Sequence, residues 1–249
     1  MNVAKGVETL ELTMNMMGYH TQIYPTLLWD EETVILVDAG LATSLSEIQK
    51  AMCQAGVPFS NLKKIIITHQ DLDHIGGLPE LLKLFDYQVE VLAHEEEKPY
   101  IQGDKPLLRM NPEKIAKMLS DLPDDQRQQM EKTIKETKTY EKSKVDKTIK
   151  DGEVLPYCGG ITVIHTPGHT PGHICLYLNQ SKTLIAGDEL DVTQGQLFGP
   201  KPGLSVDETT ANNSIKKLTQ YDIETVICYH GGIYKDNVNQ RLIELAKEL

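Results

Sequence analysis

The segment that decides the fold of this chain is Thr68-His69-Gln70-Asp71-Leu72-Asp73-His74-Ile75-Gly76-Gly77. It follows Lys64-Ile65-Ile66-Ile67, an apolar run that is typical of a buried strand. Two imidazoles and two carboxylates crowded into such a loop would repel one another and lose their hydration unless a cation joined them. The segment therefore predicts a metal site at the end of a strand.

Three later segments repeat this pattern of an apolar, β-branched run and a metal-binding residue type with glycine or proline beside it. Residues at the ends of successive strands converge along one edge of a sheet, so we expect the later side chains to approach the first segment. The pattern predicts a cluster of candidate metal ligands, namely His69, Asp71, Asp73, His74, His169, Asp188 and His230.

These candidate ligands suit two metal ions. The expected division is His69, Asp71 and His169 at one ion, Asp73, His74 and His230 at the other, and Asp188 as the bridge. Two divalent ions about 3.5–4 Å apart can share a hydroxide and lower the pKa of its parent water. We expect Asp73 to orient that hydroxide or accept its proton, besides binding metal. Zn²⁺ is the first expectation for both ions, with Mn²⁺ or Fe²⁺ as alternatives.

Length and composition limit the class of protein. With 249 residues and 40% hydrophobic content, the chain can bury the core of one domain, expected to span 1–249. The net charge of −11 argues against a nucleic-acid partner. The apolar runs are too short to span a membrane, and we expect no signal segment. The widely spaced cysteines indicate a reducing compartment. Together these features predict a cytoplasmic protein with a small-molecule substrate. They leave the oligomeric state open.

Strand-like runs come first along the chain, helices then interleave, and the order repeats after residue 150. The strand patterns lie near 9–14, 20–29, 33–38, 64–67, 88–93, 153–155, 161–165, 173–178, 182–187 and 225–229. The helix patterns lie near 43–55, 75–85, 205–219 and 236–248. This order predicts an α/β protein of two βα halves, packed as a sandwich with the helices outside.

Residues 95–150 interrupt this order with a highly charged helical insertion. Pro112 and Pro123 stand where helices are expected to begin, and the apolar residues that follow are too sparse for a core. The insertion is either a solvated surface element or a lid that covers the metal cleft and supplies the substrate pocket.

The order and context of these motifs resemble those of the metallo-β-lactamase-fold hydrolases across essentially the whole chain. The family's first motif, His-x-His-x-Asp-His, corresponds to residues 69–74, and its later ligands match His169, Asp188 and His230. The resemblance implies an αββα sandwich with the metals at one edge of the sheets. It also implies a metal-dependent hydrolase.

The chain departs from the family at Asp71, where the usual residue is His. Two divalent ions, three carboxylates and a hydroxide leave the centre about neutral, one charge less positive than the usual set. A less positive centre acidifies water less and suits harder ions, so we expect Mn²⁺ or Fe²⁺ to compete better with Zn²⁺ here. His165 and His173 flank His169 and are expected to support the ligands from a second shell.

The reaction is less well defined than the site, because one fold hosts many activities. The segment 166–174 is similar to that of glyoxalase II-like thioesterases and acyl-homoserine lactonases, which favours attack on a small ester, thioester or lactone. We expect no C-terminal glutathione-binding helices after His230, and Glu189-Leu190-Asp191 lacks the catalytic Tyr of those lactonases. The alternatives are a mononuclear-iron oxygenase of the persulfide dioxygenase type and a non-catalytic metal-binding protein.

Overall fold

The structure, a computed structural model, describes residues 1–16, 19–110, 116, 119–120, 122–124, 127–128, 131 and 141–248. The strands are β1 Asn2–Ala4, β2 Val7–Thr9, β3 Leu12–Met16, β4 Tyr19–Ile23, β5 Thr26–Trp29, β6 Val34–Val37, β7 Leu62–Ile67, β8 Glu90–His94, β9 Lys147–Ile149, β10 Val154–Leu155, β11 Ile161–His165, β12 Ile174–Leu178, β13 Thr183–Ile185, β14 Asp191–Thr193, β15 Gln196–Phe198, β16 Thr225–Cys228 and β17 Gly232–Tyr234. The α-helices are α1 Leu45–Gln54, α2 Leu72–Ile75, α3 Leu78–Leu84, α4 Lys98–Ile101, α5 Glu208–Leu218 and α6 Val238–Glu248, with 3-10 helices at Phe59–Asn61 and Leu108–Met110.

Two large sheets form the centre of the molecule. The first has the strand order β1-β2-β5-β6-β7-β8-β9, and the second has the order β10-β11-β12-β13-β16-β17. Strands β6 to β9 run parallel, as do β13 and β16. Because β11 and β13 both pair antiparallel with β12, they also run in the same direction. The carboxyl ends of the ligand-bearing strands in each sheet therefore lie at one edge of that sheet.

Alternating strand residues feed three separate cores. Between the sheets, Ile66 of β7 belongs to one buried cluster with Val163 of β11. On the outer face of the first sheet, Ile65 shares a cluster with Ile48 of α1 and with α3. A third cluster joins the outer face of the second sheet to α5 and α6. This period-two division gives the layer order helix, sheet, sheet, helix and confirms the predicted α/β sandwich.

The helix expected over 75–85 is interrupted at Gly76–Gly77, between α2 and α3. A Cβ at Gly77 would lie 2.3 Å from the carbonyl oxygen of Ala39, so only glycine permits this approach. The Gly77 amide donates to the carbonyl of Gly40 at 2.9 Å. The break holds the loop after β7 against the loop after β6, and the single-helix prediction was wrong here.

The strand expected over 20–29 is also two strands, β4 and β5, which belong to different sheets. The chain turns at Tyr24-Pro25, where proline has no amide hydrogen to donate to a ladder. Further short strands, such as β14, β15 and β17, escape sequence analysis because three residues are too few to show alternation.

The segment 95–150 is not wholly separate from the sandwich. Its end forms β9, which pairs parallel with β8 as the edge strand of the first sheet. The helices expected after Pro112 and Pro123 lie largely outside the described residues. The start of the segment passes over the strand ends, where Leu108 and Arg109 contact the loop after β7.

Candidate metal centre

The seven predicted ligands come together at the carboxyl ends of the strands, in two groups. The first group is His69, Asp71, His169 and Asp188, and the second group is Asp73, His74 and His230. Within each group, one candidate ligand atom per residue lies within 4.8 Å of every other. The sequence predicts this division for six of the seven residues, with Asp188 as a bridge rather than a member of the first group. Which of these atoms bind an ion stays a prediction.

Asp188 lies between the two groups. Its Oδ2 is 3.4 Å from His169 Nε2 in the first group and 3.5 Å from His230 Nε2 in the second. Its Oδ1 is 3.1 Å from His74 Nε2. One carboxylate thus faces ligand atoms of both groups, the position that a bridging ligand requires.

Buried polar atoms without partners indicate that the cluster is built for cations. His69 Nε2, His74 Nε2 and Asp188 Oδ1 are buried and form no hydrogen bond with the residues that the structure describes, because the 3.1 Å contact between His74 Nε2 and Asp188 Oδ1 lacks hydrogen-bond geometry. Such atoms are costly in a folded protein unless something else satisfies them. Imidazole nitrogens and carboxylate oxygens converging on one point are the usual ligands of Zn²⁺ and similar divalent ions. The residues present therefore fit a pair of divalent metal ions.

The electrostatics of the cluster also favour positive charge. Burial lowers the pKa of His230, but the carboxylates of Asp188 and Asp73 outweigh it and raise this pKa to about 10. Burial likewise opposes the charge of His74, yet Asp38, Asp188 and Asp73 raise its pKa well above the ordinary value. The field that holds protons on these rings would equally attract a metal ion.

Asp38 orients the second group, and sequence analysis missed it. His74 Nδ1 donates to Asp38 Oδ2 at 2.8 Å, which turns Nε2 towards the cluster. The Thr68 amide donates to Asp38 Oδ1, also at 2.8 Å. Asp38 has a φ of 63°, in the left-handed region that non-glycine residues rarely adopt. A signal was present, because Asp38 follows the apolar run of β6 and precedes Ala39-Gly40, the same pattern as the ligands.

Tyr229 supports the same group from behind. Its ring stacks on the His74 imidazole with centroids 3.7 Å apart, and its hydroxyl donates to the Asp73 carbonyl. The residue is buried, and it precedes the ligand His230 directly. One tyrosine therefore fixes the backbone of one ligand and the ring of another.

Glu97 ties together the two loops that carry the first group. Its Oε2 accepts from the amide of Gln70 at 2.9 Å, and its Oε1 accepts from the amide of Gly172 at 2.7 Å. Gln70 lies between His69 and Asp71, and Gly172 follows the loop of His169. Glu97 is fully buried, and nothing in the pattern of the charged segment around it indicated this role.

Arg109 contacts the first group directly. Its Nε donates to Asp71 Oδ2, and its Nη2 lies 3.0 Å from His169 Nε2. The charge count made from sequence did not include this guanidinium, which offsets the extra carboxylate of Asp71. Which divalent ion the centre prefers stays a prediction.

The two flanking histidines occupy different positions. His173 is buried, its Nδ1 lies 2.8 Å from Thr166 Oγ1, and its Nε2 accepts from the Asp188 amide at 3.1 Å. The close approach requires Gly187, because a Cβ there would lie 2.6 Å from His173 Nε2. His165 instead stacks on His94, with centroids 4.1 Å apart. Thus His173 contacts a ligand residue, whereas His165 contacts the Pro171 carbonyl at 2.9 Å.

No described helix is long and apolar enough to cross a membrane. The histidines and aspartates of the two groups are buried or partly buried and lie at one edge of the four-layer sandwich.

Comparison with known proteins identifies the family. The family model that describes the metallo-beta-lactamase superfamily matches the sequence over residues 18–230. The probable metallo-hydrolase YflN of Bacillus subtilis is 30% identical, over 99% of this chain and 92% of its own. The hydroxyacylglutathione hydrolase GloC of Haemophilus influenzae is 27% identical, over 66% of this chain and 65% of its own. The metallo-beta-lactamase family protein TTHA1429 of Thermus thermophilus has a similar fold, with a TM-score of 0.73 and 23% identity over 98% of this chain and 79% of that one. The chain belongs to the metallo-beta-lactamase superfamily.

Proposed function

We propose that this protein is a dinuclear metal-dependent hydrolase of small esters, thioesters or lactones. The observation that carries the proposal is the convergence of seven histidine and aspartate side chains into two groups with Asp188 between them. Two divalent ions held there would lower the pKa of a shared water, so that hydroxide is available near neutral pH.

Residues of the chain would bind the ions, orient the ligand rings and accept the proton of the attacking water. His69 and His74 would each bind an ion through Nε2. Thr68 contacts Nδ1 of His69 and Asp38 contacts Nδ1 of His74, and these contacts fix the orientation of the two rings. Asp73 Oδ2 lies 3.2 Å from His230 Nε2, and its side chain keeps 12% exposure at the cleft. This position supports a role for Asp73 in orienting the attacking water and taking up its proton.

Two exposed apolar residues beside a ligand loop support a small acyl substrate. Leu204 and Val206 are exposed apolar residues, 46% and 44% accessible. The Val206 amide donates to the His169 carbonyl at 3.1 Å, so this apolar edge is bonded to a ligand loop. The relative named hydroxyacylglutathione hydrolase supports an acyl substrate as well. The acidic chain would repel an extended polyanion.

A substrate panel tests the proposal. The protein, loaded with Zn²⁺ or Mn²⁺, is assayed against nitrophenyl esters, acyl thioesters and lactones, with the released acid or thiol as the readout. We expect hydrolysis that chelation abolishes and metal addition restores.

Hydrolysis that survives complete metal removal would contradict the proposal. A single bound iron together with oxygen uptake on a persulfide would instead identify the oxygenase. Binding of two ions without turnover on any substrate of the panel would favour the non-catalytic alternative.

A further inference from the structure

Arg109 reaches from the rim onto the ligand atoms of the first group. Its guanidinium contacts Asp71 Oδ2, His169 Nε2 and the Leu204 carbonyl. The Arg109 side chain keeps 39% exposure, whereas that of Asp71 keeps 8%. A cation that solvent can reach is therefore paired with an acid that solvent hardly reaches.

This placement is anchored by the backbone. The amide of Leu108 donates to Gln70 Oε1 at 2.9 Å, and Gln70 Nε2 donates to the buried Glu97 at 3.0 Å. Gln70 stands between two residues of the first group, so the Arg109 segment is bonded to the ligand loop itself. The contact of Arg109 is thus part of a connected polar network.

The same atoms cannot serve Arg109 and a metal ion equally. His169 Nε2 lies 3.0 Å from Arg109 Nη2 and 3.1 Å from Asp71 Oδ2. When this nitrogen carries no proton, its one lone pair either accepts from Arg109 or binds an ion. A carboxylate has several lone pairs, so Asp71 can keep Arg109 while it binds an ion. The Arg109 guanidinium and a metal ion bound to His169 would also repel each other, because two positive charges would lie close together.

We propose that Arg109 competes with the metal ion for the first group and so sets the affinity of that position. Loading the first group requires the guanidinium to leave His169 while it stays on Asp71. Asp71 and Arg109 therefore act as a pair. When a metal ion displaces the guanidinium from His169, the Asp71 carboxylate retains it. This inference rests on the two-metal site of the proposed function.

Variants that keep one of the two metal positions isolate the effect of Arg109 on metal affinity. His230→Ala leaves the first group intact, and His169→Ala leaves the second group intact. Arg109→Gln is combined with each, and Co²⁺ or Zn²⁺ affinity is measured at equilibrium against a competing chelator. We expect Arg109→Gln to tighten binding about tenfold in the His230→Ala protein, as removal of one charged competitor should. We expect no change in the His169→Ala protein.

Matched variants separate competition from general charge. Lys105→Gln removes one positive charge from the same segment, where the ammonium lies over the Tyr100 ring, and should change the affinity less than about twofold. Arg109→Lys keeps the charge without the fork of donors and should give an intermediate affinity. It also tests the inference if Arg109→Gln does not fold.

An unchanged or weakened affinity of the first group in Arg109→Gln, or in Arg109→Lys if only that variant folds, would overturn the inference. If the parent protein still binds two ions and hydrolyses a substrate, the proposed function stands without it. A parent protein that binds no ion would overturn both.

Discussion

The two halves of the metal centre are held in different ways. The second group is supported from the interior, where Asp38 and Tyr229 contact the His74 ring from behind. The buried Glu97 joins the loops of the first group, but the ligand atoms of that group are contacted from the rim by Arg109, which is partly exposed. Interior partners fix a ligand in one geometry, whereas a rim cation can be displaced. The difference suggests that the geometry of the second group is fixed, whereas the metal affinity of the first group can be adjusted.

Removing one ligand from each group tests whether both are needed. Asp73→Ala and His169→Ala should each lower hydrolysis by on the order of 10³-fold or more, beyond the roughly 10 to 100-fold typical of outer partners. The rate on the best substrate of the panel is the measurement, and the melting temperature checks the fold.

Asp222→Ala is the matched control for the aspartate variant, because Asp222 is exposed and pairs with Lys182. It should keep the parent rate. Retained hydrolysis in both ligand variants would refute the two-group assignment.

Asp38→Asn tests the interior support of the second group. The carboxylate accepts from the Thr68 backbone amide, the Thr68 hydroxyl and His74, whereas the side-chain amide of asparagine cannot accept from all three. The His74 imidazole therefore loses its fixed orientation. Metal affinity or activity should fall about 10 to 100-fold. An Asp38→Asn protein with parent affinity and rate would show that the orientation of His74 does not depend on this contact.

Tyr229→Phe is the mildest change, since it removes one hydroxyl and keeps the ring against His74. The buried Asp73 carbonyl loses its donor, and the free energy of unfolding should fall by about 1–2 kcal/mol. Tyr177→Phe is the control, because that hydroxyl donates to the carbonyl of the exposed Asp222 at 2.8 Å. Denaturant unfolding of both variants gives the comparison, and equal losses would argue against a special role for Tyr229.

The sequence predicts those parts of the centre that local pattern determines. His69, Asp188 and His230 each follow an apolar run and have glycine nearby in the sequence, so their strand-end positions can be inferred. The layered fold follows from the same runs, because alternate residues of each strand feed opposite cores.

The supporting residues are harder to predict, because their roles depend on long-range contacts. Arg109 is 38 residues from Asp71 in the chain and lies in a charged segment that resembles solvated surface. Glu97 has no apolar context that would indicate a buried carboxylate. Only the strand order β6-β7-β8, which places these loops at one edge, brings them to the ligands.

The most direct test of the account is the metal content of the protein, purified without chelators or a histidine-rich tag and measured by elemental mass spectrometry. We expect two divalent ions per chain, and one ion per chain in either His169→Ala or His230→Ala. A parent protein with no ion after reconstitution, or with a single ion that neither variant removes, would contradict the dinuclear centre.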